Sequence, residues 1–156
     1  PCLVVNGTRP ELPRRNGVAS DLSRYADRAL ALAASWAEAW NAQPDRSPSD
    51  RVEIEVVYIA AYANPSYRAA DSVKLQPRVE RIETLTDGTV PIRSRILSAP
   101  LAPDGIRRIA EKNGIDMLFV GTHGSGFVMR TLLGSVSAEV VRSVRLPIVV
   151  VPPPKE

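Results

Sequence analysis

One cysteine, Cys2, and one histidine, His123, are all that this 156-residue chain carries of the two residue types most used for staples and metal centres. A lone cysteine closes no intrachain disulfide, so the fold must be held by its core, and Cys2, inside an apolar strand, is expected to be a buried structural thiol. A lone histidine excludes a His-pair metal site, and no cluster of cysteines or carboxylates along the sequence replaces it. On its own, His123 reads as a surface-loop residue. Aromatic residues make up only 5% of the chain. Basic residues are scattered (Arg9, Arg14, Arg15, Arg68, Arg78, Arg81, Arg93, Arg95, Arg107, Arg108) among acids, for a net charge of +3. Neither a basic stripe nor stacking platforms are present, so nucleic acid is not an expected partner. No apolar run approaches the roughly 20 residues of a membrane helix, and no basic segment followed by a long apolar one opens the chain. A cytoplasmic protein without a membrane partner is expected.

Catalytic signatures are missing as well. There is no Gly-x4-Gly-Lys-Ser/Thr loop, no serine nucleophile elbow and no evident acid–base pair of carboxylates. Rapid phosphoryl transfer is therefore not encoded, and at most slow ATP hydrolysis would remain.

What is abundant is apolar surface. With 44% hydrophobic residues, the chain suits a single domain over 1–156 with a full core. The periodicity predicts a first strand Cys2-Leu3-Val4-Val5 ending in Asn6-Gly7-Thr8, then a Pro- and Arg-rich loop insertion at about 9–18. Arg9, Arg14 and Arg15 in that loop could clamp phosphates or lie in solvent. A helix follows from Ser20 or Asp21, as N-cap, to Asn41, with Leu22, Tyr25, Ala26, Ala29, Ala33, Trp36, Ala37 and Trp40 along one face. A second strand spans Val52 to Ala61. Pro77 interrupts the next helical pattern, which predicts an irregular segment before it and helix from there to about Thr86. A third strand covers Val90 to Ser98, and a third helix runs from Pro103 or Asp104 to Lys112. The fourth strand is Asp116 to Val120, a fourth helix opens near Ser135, and Pro147 delivers the last strand, Ile148-Val149-Val150-Val151, before a short Pro-rich tail at 152–156. Strictly alternating strands and helices predict an α/β fold, a doubly wound five-stranded parallel sheet with helices on both faces.

The most informative stretch is Val120-Gly121-Thr122-His123-Gly124-Ser125-Gly126, continuing to Leu133-Gly134-Ser135. It joins a buried strand to a helix start, where unpaired backbone N–H groups and the positive dipole end favour an anion. Glycine also serves turns and close packing, and Ser135 is a good N-cap without any ligand, so a purely structural loop is the competing reading.

Two residues separate Gly121 from Gly124, and nine separate Gly124 from Gly134, with the Ser135 hydroxyl next. This pattern, with Ala110 to Asp116 before it and Ser137 to Val151 after it, resembles the universal stress protein family. The resemblance implies a Rossmann-like, adenine nucleotide alpha hydrolase-like fold in which the first strand lies between the second and the fourth. It implies ATP as ligand, with or without Mg2+ or Mn2+. The base would lie against strand two, and the phosphates on Gly121, Thr122, His123, Gly124, Gly134, Ser135 and Val136. Ile59 and Val120 would supply apolar contacts. Asn6, with Gly7 and Thr8, would stand where the family usually has an Asp that holds base or ribose groups, losing its charge. The resemblance further implies a homodimer through the last strand, and a regulatory module that acts through that dimer or through a partner. A nucleotide-free interaction module and a slow ATP hydrolase are the alternatives.

Overall fold

At the centre of the sheet runs Arg15–Ser20, a segment whose Asn16-Gly17 pair reads as a turn in the sequence. The computed structural model describes residues 1–5, 13–60, 65–123 and 133–153. Among them the order is β1 (Cys2–Val4), β2 (Arg15–Ser20), α1 (Arg24–Asn41), β3 (Glu53–Ala60), α2 (Pro65–Leu85), β4 (Ile92–Ser98), α3 (Ala102–Lys112), β5 (Met117–Gly121), α4 (Ser135–Ser143) and β6 (Ile148–Val151). The chain forms one α/β domain around a six-stranded sheet of order β1-β6-β5-β2-β3-β4. Strands β2 to β6 run parallel, while β1 lies antiparallel on β6, with Cys2 opposite Val150 and Val4 opposite Ile148.

Two expectations are corrected here. The apolar run at the N-terminus is not the central strand but a three-residue border, which leaves Cys2 exposed and Leu3 48% exposed. Consequently the sheet has six strands rather than five, and β6 lies between β5 and β1 instead of at an edge. The central position falls to Arg15–Ser20 because its small residues let neighbours close in. A Cβ at Gly17 would stand 2.7 Å from the Ile115 Cδ1 and 3.3 Å from the Leu118 Cδ1.

The segment around Arg14 and Arg15 is tied down at the amino ends of the strands. The Asp116 carboxylate accepts the backbone N–H groups of Arg14 and Arg15 at 2.8 and 2.9 Å. The Arg15 guanidinium donates to Glu53 Oε1 at 2.5 Å and to the Asn113 carbonyl at 2.6 Å, while Arg14 pairs with Asp50 at 3.0 Å. Neither arginine reaches the carboxyl ends of the strands, so of the two readings open for this loop the phosphate clamp is not formed by these two.

Helix α1 starts later than expected, because Ser23 rather than Ser20 or Asp21 is its N-cap, its side chain accepting the Ala26 N–H. Its buried face is mostly alanine (Ala26, Ala29, Ala33, Ala34, Ala37), which lets the helix lie close on the sheet. There it packs with Val18, Ile54, Val56, Phe119, Val149 and the α2 residues Leu75, Val79 and Ile82. Trp36 meets the Phe119 ring edge-on at 5.5 Å. The opposite face of the sheet is covered by Ile106 and Ala110 of α3 and Val140 of α4, packed on Leu118, Val120, Ile148 and Val150.

Helix α2 continues through Pro77 rather than beginning there. Proline removes the N–H that would bond the Val73 carbonyl, but Pro77 and Val73 both lie on the exposed face. Water can satisfy that carbonyl, while Leu75, Val79 and Ile82 hold the helix to the core. No helix among the described residues is long and apolar enough to cross a membrane.

Asn16 departs from the rule that buried polar groups are paired. It is fully buried, two residues before Val18 and on the same face of β2, and neither amide atom has a hydrogen-bond partner. Replacing it with valine is expected to stabilise the fold by about 1–3 kcal/mol by removing that desolvation cost. Urea denaturation checks this, and a lowered midpoint would show that the amide is paired through a buried water.

Candidate functional site

Strand order reverses between β2 and β5: β3 and β4 continue on one side of β2, while β5 and β6 lie on the other. The crevice beyond the carboxyl ends of such strands is where an open α/β sheet takes ligands. Four chain segments end there. From β2 come Ser20 and Asp21, from β3 Ile59 and Ala60, from β5 Gly121 followed by Thr122 and His123, and from beyond the loop the start of α4.

Residues Ser20 to Ser23 form a tight polar turn. The Ser20 Oγ accepts the Leu22 N–H at 3.2 Å, and Asp21 Oδ1 accepts the Ser23 N–H at 3.1 Å. Leu22 has φ +64°, a left-handed conformation unusual for a leucine. Asp21 is thus the acidic residue that directly follows the central strand. Strand β1 ends beside Ile148, at the amino ends of the parallel strands and away from the crevice. Asn6, Gly7, Thr8, Arg9 and Gly124 lie outside the described residues.

The two flanks of the glycine loop are pinned together. Thr122 N–H donates to the Val151 carbonyl at 3.0 Å, and the Thr122 carbonyl accepts the Gly134 N–H at 2.6 Å. The buried Ser137 hydroxyl donates to the Gly121 carbonyl at 2.7 Å. Gly134, not Ser135, is the N-cap of α4, and a glycine brings no side-chain cap to this end. Ser135 and Val136 are exposed in the first turn, and among the described residues no side-chain acceptor meets the backbone N–H groups that open α4.

Gly121 owes its identity to helix packing. A Cβ there would meet the Tyr25 Cβ at 3.0 Å and the Tyr25 backbone C and O at 3.1 Å, so the first turn of α1 leaves room only for glycine. His123 is not on the surface: it is 9% exposed and meets the Tyr25 ring edge-on at 5.7 Å. Arg24 covers the other part of this stack, with its guanidinium carbon 5.1 Å from the Tyr25 centroid. The Val120 side chain is enclosed in the core with Ile106 and Val140, and Ile59 packs on Gly105 of α3, where a Cβ would stand 2.7 Å from the Ile59 Cδ1. Ile59 keeps partial exposure; Val120, at 3%, offers a ligand almost no side-chain surface.

The sequence reading missed Ser20, Asp21, Leu22, Ser23 and Tyr25 as site residues. The available signal is Ser20-Asp21 just before a helical repeat, which in the sequence reads as a helix start.

Comparison with known proteins supplies the family. The universal stress protein family model matches residues 14–152, beginning one residue before β2 and leaving β1 outside. No curated protein matches the chain. Among solved structures, the universal stress protein UspA from Lactobacillus plantarum has a TM-score of 0.70 at 18% identity, covering 88% of this chain and 96% of that one. A universal stress protein in complex with cAMP has a TM-score of 0.61 at 19% identity, covering 89% and 96%. The universal stress protein from Archaeoglobus fulgidus in complex with dAMP has a TM-score of 0.60 at 19% identity, covering 88% and 96%. With the model spanning nearly all of its length, this chain belongs to the universal stress protein family.

Proposed function

We propose that the protein is a regulatory module that binds an adenine nucleotide, ATP, in the crevice between the carboxyl ends of β2 and β5. The observation that carries this reading is the meeting, at the switch point, of the Asp21 turn with the first turn of α4. A helix start, whose first-turn N–H groups have no intrahelical partner, suits phosphate oxygens, and the Ser135 hydroxyl adds a further donor. Asp21 offers a carboxylate acceptor for ribose or base groups on the other side, against the exposed part of Ile59. Among the described residues no three His, Cys, Asp or Glu side chains come together, so Mg2+ or Mn2+ would be held mainly by the phosphates themselves. Two structural relatives, in complex with cAMP and with dAMP, support an adenine ligand.

The nucleotide would act by joining the Asp21 turn to the start of α4, and so alter what a partner protein meets at the carboxyl end of the sheet. Dimerisation through β6 is not part of this reading, since β1 occupies that side. Isothermal titration with ATP, dAMP, cAMP and adenosine tests it. ATP, dAMP and cAMP are expected to bind more tightly than adenosine, because only these three carry phosphate to the α4 start. Equal affinity for all four would remove phosphate recognition, and no binding would leave the nucleotide-free interaction module.

A further inference from the structure

We infer that Arg78 of α2 is a positioning residue that holds the Asp21-Leu22-Ser23 turn and thereby sets nucleotide affinity; this rests on the reading just proposed. Leu22 carries the strain. At φ +64° a leucine sits where glycine sits freely, and such a conformation persists only when its surroundings over-determine it. The surroundings include one side chain from another element. Arg78 Nη2 donates to the Leu22 carbonyl at 2.8 Å, Nε donates to Asp27 Oδ1 at 2.7 Å, and Nη1 donates to the Lys74 carbonyl at 2.8 Å. A planar guanidinium with three acceptors has a single orientation, so it fixes the strained residue relative to the first turn of α1 and to α2 at once.

The turn it fixes is the one that presents Asp21. Ser20 and Asp21 side chains bond the N–H groups of Leu22 and Ser23, and Ser23 in turn caps α1. With Arg78 removed, Leu22 is free to leave the left-handed region. Binding must then order the turn as well as the ligand, and affinity falls by that cost. The polar partners of Arg78 among the described residues are Leu22, Asp27 and Lys74, so its effect on the site runs through Leu22.

The test is ATP titration of the full chain as wild type, Arg78→Ala, Arg78→Lys, Leu22→Gly and the double variant Leu22→Gly/Arg78→Ala, each with a thermal unfolding midpoint. Arg78→Ala is expected to weaken ATP about tenfold, the loss usual for a hydrogen bond from a charged group. Arg78→Lys is expected to do nearly the same, since an ammonium cannot span three acceptors. The double variant is expected to return to within about threefold of Leu22→Gly alone, because glycine adopts the turn without a clamp. A merely structural arginine would lower the unfolding midpoint of both Arg78 variants and leave the ATP dissociation constant alone. If Arg78→Ala does not fold, Asp27→Asn carries the test, with an expected loss of about threefold. Unchanged ATP affinity in whichever of these folds, or a double variant no better than Arg78→Ala, overturns the inference. A wild type that binds no ATP overturns the nucleotide reading first, and this inference with it.

Discussion

Replacing Gly121 with valine is expected to cost the fold about 3 kcal/mol or more, and to abolish ATP binding only through that loss. All three atoms nearest an added Cβ belong to Tyr25, and two of them are backbone. No side-chain rotation relieves the clash, so the first turn of α1 must lift from β5, taking with it the Tyr25–His123 stack and the Ser23 cap. Alanine at the same position is expected to cost about 1–3 kcal/mol. Gly134 provides the contrast within the same motif: its φ of −66° and ψ of 156° suit any residue, so Gly134→Ala is expected to cost under about 1 kcal/mol. Guanidinium denaturation of the three variants separates packing from ligand recognition. A Gly121→Val protein with the wild-type midpoint would refute the packing role.

Asp21→Asn is expected to lower ATP affinity by about tenfold to a hundredfold, the range for losing a charged hydrogen-bond acceptor, while the unfolding midpoint stays within a few degrees. The conservative amide keeps an oxygen for the Ser23 N–H, so the turn survives and only the charge is lost. Asp21→Ala removes both and is expected to add a stability loss of about 1 kcal/mol. Titration calorimetry on the two variants reads the split. Wild-type affinity in Asp21→Asn would move the ribose or base contact to another residue.

The carboxyl-terminal half was legible because its signals agree. Met117 to Gly121 and Ile148 to Val151 are apolar without interruption, as strands covered on both faces must be, and glycine and proline mark the ends of α4. The amino-terminal half misled through the same rule. Cys2-Leu3-Val4-Val5 looks like a buried strand yet forms the border, whereas the real central strand contains only Val18 and Ala19 as apolar residues beyond Gly17. Its burial is set by what it must admit, the Ile115 and Leu118 side chains over Gly17, and no periodicity in residues 15–20 announces that. The misplaced strand also directs attention to Asn6, outside the described residues, whereas Asp21 follows the central strand. Helix α2 was cut at Pro77 because sequence alone does not show that the freed carbonyl faces water. The left-handed Leu22 and its distant clamp, Arg78, had no sequence signal, since residues 56 positions apart meet only through the fold.

The border strand has a consequence in time. Cys2 pairs with Val150, so the first residues of the chain wait for nearly the last before they find a partner, and closing so long a loop for three residue pairs is among the least rewarding steps available to a folding chain. The five parallel strands must assemble without it. The sheet is therefore a body completed from within and fastened afterwards at one margin, and that margin is where the native structure is expected to come undone first.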